Sequence, residues 1–129
     1  MEIARYLSGA PLEKSIGYSR MIKVAGMILI GGTTSVQSDG TVYGEDAYSQ
    51  TGYVLKKQLQ LLEQAGGKKE NVVAVDVFAV HMSDTAEIGR AYSEIFHNIR
   101  PTFTVVGTTE LNRPAQLVEI KLMAVTSQV

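Results

Sequence analysis

An apolar run at residues 71–80, with an amphipathic segment on either side, constrains the fold more than any other feature of this sequence. The run is rich in β-branched and aromatic residues and is interrupted only by Ala74, Asp76 and Ala79. Such a run predicts a strand that is buried on much of both faces and lies in the interior of a sheet. The rest of the chain must supply the strands that flank it and the layers that cover it.

Helical periodicity precedes and follows this strand. Over residues 46–65, apolar side chains recur at helical spacing, and Gly66 and Gly67 follow as a helix-stop signal. A second helix is predicted to begin at Asp84, which forms a capping pair with Glu87, and to end before Pro101. Each helix has one apolar face, so both are expected to pack on the same side of one sheet.

The remaining strands complete an α+β domain. Residues 16–30 predict a β-hairpin with its turn at Ala25-Gly26, and residues 102–106 and 117–125 predict two more strands. The predicted order is β-β-α-β-α-β-β, with a single mixed sheet and two helices on one face. Because the other face would expose apolar residues, we expect a closed homo-oligomer. No shift in composition divides residues 1–129, which predicts one domain.

Composition excludes several classes of function. The chain has no cysteine, so disulfides, thiolate nucleophiles and cysteine-based zinc sites are excluded. A net charge of −1 supplies no basic surface for nucleic acid, and no apolar stretch approaches the length of a membrane span. His81 and His97 lack nearby carboxylates at a spacing typical of metal sites. We therefore expect a cytoplasmic protein with no metal, cofactor, nucleic-acid or membrane partner.

A set of short segments in a fixed order carries a resemblance to a known family. The segments are Gly17-Tyr18-Ser19, Gly32, Gln50, Leu62-Glu63-Gln64-Ala65-Gly66, residues 72–77, residues 92–96 with Pro101, and Val118-Glu119-Ile120 with Ala124. No single segment is specific, but together they span nearly the whole chain. In this order they resemble the Rid (reactive intermediate deaminase, or YjgF-like) family.

The resemblance implies both a fold and a chemistry. The implied fold is the chorismate-mutase-like sheet, assembled as a homotrimer with small-molecule clefts between subunits. The implied reaction is the hydrolysis of reactive enamines or imines, such as 2-aminoacrylate, to a keto acid and ammonia without a cofactor. That chemistry needs a cation for the substrate carboxylate and a carboxyl group that holds water and transfers a proton.

The resemblance also implies which residues form the cleft. Glu119 matches the family's cleft glutamate and is the candidate catalytic residue. The candidate substrate-binding residues are Tyr18, Arg20, Gly31, Gly32, Thr33, Phe103 and Val105. Structural alternatives remain open, since Glu119 fits a solvent-facing strand position and Tyr18 fits an interface or core tyrosine.

Phe103 departs from the family pattern, because the deaminases carry at this position an arginine that clamps the substrate carboxylate. Phenylalanine cannot form that clamp. Gly89 stands where deaminases often carry asparagine, so a second polar contact is also missing. Arg20 is a candidate replacement cation and Arg113 a weaker one; the alternative for Arg20 is a strand residue that pairs with an acid.

Three functions follow as hypotheses. The first is a Rid-like enzyme that acts on a small enamine or imine through Glu119. The second is a non-catalytic small-molecule binder or sensor on the same trimer, which the loss of the clamp at Phe103 favours. The third, ribonuclease activity, follows a label given to some relatives, and the net charge argues against it.

Overall fold

Six strands form one mixed sheet in the computed structural model, which describes residues 1–126. The strands are β1 (Ile3–Tyr6), β2 (Met21–Val24), β3 (Met27–Thr33), β4 (Val72–Ala79), β5 (Thr102–Gly107) and β6 (Val118–Val125). Their order across the sheet is β1-β2-β3-β6-β4-β5. The β4–β5 pair is parallel and the other neighbours are antiparallel.

Two helices, α1 (Ala47–Gln64) and α2 (Thr85–Phe96), pack on one face of this sheet. The predicted α+β fold with a single mixed sheet is therefore confirmed. Short helical turns at Glu13–Gly17, Lys69–Asn71 and Met82–Asp84 connect the main elements. No helix in the described part of the chain is long and apolar enough to cross a membrane.

The N-terminal part differs from the prediction. Strand β1 was not predicted, because it is a four-residue edge strand with little burial and hence no clear alternation. Residues 16–20 were assigned to the hairpin, but residues 16 and 17 belong to the turn at Glu13–Gly17 and strand β2 begins only at Met21. The predicted turn is confirmed, since Ala25 and Gly26 have φ values of 49° and 82°, which suit a tight hairpin.

The two helices differ in how their N-terminal ends are capped. Asp46 caps α1 as its side chain accepts a 2.7 Å hydrogen bond from the Ser49 amide. The predicted capping pair at α2 is wrong, because the side chain of Asp84 makes no capping hydrogen bond. Thr85 instead donates its hydroxyl to the Met82 carbonyl at 2.6 Å.

The core lies between the helices and the covered face of the sheet. Its buried members include Ile28, Ile30, Val54, Leu55, Leu62, Val75, Val77, Ile88, Phe96, Ile120 and Leu122. Burial of each large apolar side chain contributes roughly 1.5–3 kcal/mol to folding. This layer fixes the positions of β3, β5 and β6, which carry most of the predicted site residues.

The opposite face of the sheet, here called the open face, is not covered within one chain. It presents Met27, Leu29, Val106 and Val125, which are 39% to 44% exposed. Strand β4 was expected to be buried on much of both faces, but in the single chain its buried residues face the helices. An exposed apolar sheet face is typical of an interface, and the homo-oligomer stays a prediction.

Candidate functional site

A break in strand pairing creates the centre of the candidate site. The register between β3 and β6 shifts between Ile30 and Thr33, and Gly31 and Gly32 occupy the shift. The Gly31 amide donates a 3.0 Å hydrogen bond to the carbonyl of Arg20. Bulges of this kind bend a strand and change the direction of neighbouring side chains.

Glu119 of β6 lies beside this bulge. A Cβ placed on Gly32 would be 2.7 Å from Glu119 Oε2, so the carboxylate packs directly over the glycine backbone. The Glu119 side chain alternates with the buried Val118 and Ile120 and therefore projects to the open face. It is half-buried and makes no hydrogen bond or ion pair with any side chain among residues 1–126.

Arg20 ties the segment before β2 to the bulge. Its Nη1 donates to the Gly32 carbonyl at 2.6 Å and to Thr33 Oγ1 at 3.4 Å. Its guanidinium carbon lies 5.8 Å from the centre of the Tyr18 ring, and its Nε lies 3.8 Å from Glu13 Oε2. The structure thus brings together six of the predicted site residues, Tyr18, Arg20, Gly31, Gly32, Thr33 and Glu119.

Glu13, the acid that pairs with Arg20, was not identified from the sequence. It is only 4% exposed and accepts hydrogen bonds from the Ser8 amide at 2.8 Å, the Gly9 amide at 3.3 Å and the Ser8 hydroxyl. Burial alone raises the pKa of the Glu13 carboxyl, but these hydrogen bonds and the Arg20 charge outweigh it and lower the pKa. Arg20 therefore fits the alternative in which it pairs with an acid.

A second cation lies near Arg20. Lys57 of α1 donates a 3.2 Å hydrogen bond from Nζ to the Val36 carbonyl. Burial, together with the positive charge of Arg20, lowers the pKa of the Lys57 ammonium group. Since the described residues form one ion pair, Arg20 with Glu13, the charge of Lys57 has no such partner among them.

Phe103 and Val105 do not join this group of residues within one chain. Both are half-buried on β5 and pack against the core on the helix side of the sheet, whereas Glu119 faces the open side. The Phe103 ring stacks on Tyr92 of α2, with ring centres 4.0 Å apart and an angle of 18° between the planes. The side chain that replaces the family's arginine is thus part of an aromatic cluster.

A groove of about 480 Å³ runs between α2 and β5 beside this stack. Its lining residues are Gly89, Tyr92, Ser93, Phe96, His97, Arg100, Pro101 and Phe103. Phe103 and Gly89, the two positions at which the chain departs from the deaminases, therefore line the same groove. We call it the α2–β5 groove.

Other candidates from the sequence are separate from these two places. Arg113 lies exposed in the loop before β6, where its amide donates to Gln116 Oε1 at 3.1 Å. The described residues contain no group of three or more histidine, aspartate or glutamate side chains that could hold a metal ion. Arg113, the weaker candidate cation, therefore does not join the predicted site within one chain.

Comparison with known proteins agrees with the fold. The family model described as Endoribonuclease L-PSP matches residues 9–126. An uncharacterized protein of Streptomyces coelicolor is 31% identical over 81% of this chain and 78% of its own length. A RutC family protein of Pyrococcus abyssi is 31% identical over 86% of this chain and 88% of its own length.

Solved structures of related proteins have the same fold as this chain. A member of the YjgF family from Mycobacterium tuberculosis superimposes with a TM-score of 0.88 and 30% identity, covering 97% of this chain and 100% of that one. A Rid family protein of Yersinia pestis gives a TM-score of 0.79 and 28% identity, covering 85% of this chain and 88% of that one. The fold and these matches therefore define a protein of the Rid class. This chain belongs to the Endoribonuclease L-PSP, or Rid/YjgF-like, family.

Proposed function

We propose that this protein binds a small metabolite in clefts between copies of itself and hydrolyses a reactive enamine or imine there, with Glu119 as the acid–base group. Family membership supports a small-molecule-binding or deaminase-type role in general. One observation carries the specific reaction. The Glu119 carboxylate packs over Gly32 without any ion pair or hydrogen bond to the described side chains, so it is available to a water molecule.

The two faces of the sheet support a cleft between copies. Glu119 and the Gly32 bulge lie on the open face, and Phe103 and Gly89 lie on the helix side near the edge strand β5. One chain cannot bring these two parts into one pocket. A second copy packed against the apolar open face would bring its own α2–β5 groove beside Glu119, and the site would then contain residues of both copies.

The proposed reaction requires Glu119 only to accept protons and to return them. An enamine tautomerises to an imine, and water adds to the imine carbon while the carboxylate accepts one of the water protons. The protonated carboxyl then returns that proton to the nitrogen, which gives a carbinolamine. The carboxylate next accepts the proton of the carbinolamine hydroxyl and passes it to the amino group, so the carbon–nitrogen bond breaks as the carbonyl forms and ammonia leaves. The products are a keto compound and ammonia, and Glu119 ends in its starting protonation state.

A second candidate, a non-catalytic small-molecule binder, is favoured by a different observation. Phe103 replaces the family's arginine and stacks on Tyr92, and Arg20 is held by Glu13, so neither supplies the carboxylate clamp of the deaminases. The endoribonuclease activity in the family's name gains no such support, because a net charge of −1 gives no basic surface for RNA.

The experiment that separates the two candidates measures ammonia and keto-acid release from freshly generated 2-aminoacrylate. Wild type is compared with Glu119→Gln and with Glu110→Gln, a control that removes an exposed carboxylate in the loop after β5. Activity that is lost in Glu119→Gln and retained in Glu110→Gln supports the enzyme. If wild type does not accelerate the reaction but binds a keto acid in calorimetry, the protein is a binder.

A further inference from the structure

The arginines of this chain differ in whether their guanidinium groups already form an ion pair, a hydrogen bond or a contact with an aromatic ring. Arg20 is paired with Glu13 at 3.8 Å and donates to the Gly32 carbonyl. Arg90 lies over the ring of Tyr48, with its guanidinium carbon 3.7 Å from the ring centre. Neither is available to clamp a ligand carboxylate without breaking contacts within its own chain.

Arg100 is placed differently. It lines the α2–β5 groove together with Phe103 and Pro101, is exposed, and has no ion pair with another residue in the described range 1–126. Its φ of 63° lies in the left-handed region, and its amide donates a 3.0 Å hydrogen bond to the Phe96 carbonyl at the end of α2. Glycine is the usual residue in this conformation, and arginine occupies it at a conformational cost. Such outliers cluster at functional sites.

The electrostatics of the groove favour an anion. None of the described lining residues is acidic, and the groove contains Arg100 and His97, whose Nδ1 lies 3.4 Å from Ser93 Oγ. Burial raises the pKa of the Tyr92 hydroxyl, and the positive charge of Arg100 acts in the opposite direction.

The walls of the groove favour a flat apolar group. Tyr92 stacks on Phe103 and lies 5.2 Å from the fully buried Phe96, so the half-buried Tyr92–Phe103 pair forms the aromatic wall beside the cation. Gly89 adds no side chain on the α2 side, and a Cβ placed there would meet no atom within 4 Å. The open space lies where a ligand ring could lie against the stacked pair.

We propose that Arg100 binds the carboxylate of the ligand and that the ligand is an aromatic monocarboxylate whose ring packs against Tyr92 and Phe103. This inference rests on the proposed cleft, and it names the ligand class and the cation of that cleft. Arg100 thereby replaces, from the end of α2, the charge that the substitution to Phe103 removed from β5.

The test is calorimetric titration of the intact protein with phenylacetate and with phenylacetamide, which has nearly the same shape without the charge. Wild type is expected to bind phenylacetate more tightly than phenylacetamide. Arg100→Gly should weaken phenylacetate binding by about tenfold or more, the loss typical of a charge-assisted contact, and leave phenylacetamide unchanged. Because glycine suits the φ of Arg100, this variant should fold, and its thermal midpoint checks that it does.

Arg5→Ala is the control, since it removes an exposed arginine of β1, at the sheet edge opposite β5 and outside the groove. Equal loss of binding in Arg5→Ala, or equal affinity of wild type for the acid and the amide, would overturn the inference. The inference would also be overturned if wild type failed to bind phenylacetate while it still hydrolysed 2-aminoacrylate through Glu119. That result would leave the proposed function intact. Conversely, Arg100-dependent binding without hydrolysis would overturn the enzyme and retain this inference.

Discussion

The Glu119 carboxylate and the Gly32 backbone are so close that a single methyl group cannot fit between them. A Cβ on Gly32 would be 2.7 Å from Oε2 and 3.0 Å from Cδ of Glu119. The φ of Gly32 is not in the left-handed region, so this glycine is required by the close approach and not by its backbone angles. The position of the candidate catalytic carboxylate therefore depends on the absence of a side chain on the neighbouring strand.

Substitution of Gly32 by alanine is expected to displace the carboxylate without unfolding the protein. The atoms that the new methyl group meets belong to the flexible end of a side chain, so the free energy of unfolding should change by no more than about 1 kcal/mol. If Glu119 is catalytic, misplacement by about 1 Å should lower kcat/KM for 2-aminoacrylate by on the order of 100-fold. Steady-state kinetics and urea denaturation measure the two quantities separately.

Gly52→Ala in α1 is the control for this substitution. A Cβ at Gly52 would meet no atom within 4 Å. This variant should retain wild-type kinetics and should not lose stability. If Gly32→Ala and Gly52→Ala have the same activity, the placement of Glu119 over Gly32 has no role in catalysis.

Because Glu13 forms a buried ion pair with Arg20, we expect the free energy of unfolding to depend on the protonation of Glu13 and therefore on pH. Its pKa in the folded protein lies below the ordinary value of 4.5. The stabilisation from this carboxylate is therefore present above about pH 4.5 and is lost as the pH falls through the folded-state pKa. Glu13→Gln should lower the free energy of unfolding by about 1–3 kcal/mol at pH 7, since it leaves Arg20 without its counter-charge.

Urea denaturation of wild type and Glu13→Gln at pH 7, 5 and 3 checks this dependence. The difference between the two proteins should be constant from pH 7 to 5 and should shrink at pH 3, which lies below the ordinary pKa of 4.5, because the unfolded chain then binds a proton that the folded carboxylate resists. Glu110→Gln serves as the control and should track wild type throughout. A difference that grows as the pH falls would contradict the direction of the pKa change.

We expect copies of the chain to assemble through the open face, and we expect one charged side chain on this face to disrupt that assembly. Leu29 of β3 lies in the middle of this face, in register with Ile22 of β2 and Met123 of β6. Leu29→Glu should convert the expected trimer to a monomer at micromolar concentration, because a carboxylate would be buried without a partner at the interface. Light scattering after size-exclusion chromatography measures the mass directly.

Met82→Glu is the control for a charge on an exposed apolar residue outside the sheet. Met82 is 50% exposed in the short turn before α2. This variant should have the same mass as wild type. A wild-type monomer would remove the basis of the cleft between copies, because Glu119 and the α2–β5 groove could not then meet.

Much of the fold was predictable from local pattern, because α1 and α2 have helical periodicity and strands β4 to β6 are runs rich in β-branched and other apolar residues. The short edge strand β1 and the turn at Glu13–Gly17 were not, because neither buries a repeating apolar face. The capping pair at Asp84 was predicted from residue types alone, and whether such a side chain caps a helix depends on local geometry.

The site was predictable only in part. Tyr18, Gly32 and Glu119 were predicted from the resemblance to a family, and Arg20 was predicted from its position two residues after Tyr18. Glu13 could not be found in this way, since its partner Arg20 lies seven residues away across a helical turn. The placement of Phe103 on the helix side also needed the structure, because its neighbours on β5 show no strict alternation of polar and apolar residues.

The Gln50 side chain holds the start of β6, the strand that carries Glu119, in place. This fully buried side chain of α1 donates to the carbonyls of Gly44 at 3.0 Å and Ala115 at 2.9 Å, and accepts from the Leu117 amide at 2.8 Å. Gln50→Leu removes all three hydrogen bonds and leaves three backbone groups to find other partners. The free energy of unfolding should fall by roughly 2–4 kcal/mol.

Gln60→Leu on the exposed side of α1 is the matched control, and it should change the free energy of unfolding by less than about 0.5 kcal/mol. Urea denaturation measures both variants, and hydrogen exchange of the Leu117 amide reports on the loop directly. Exchange of this amide should accelerate in Gln50→Leu more than exchange of amides in the middle of β6. Equal acceleration at both places would mean that Gln50 acts on global stability and does not specifically hold the segment that leads to Glu119.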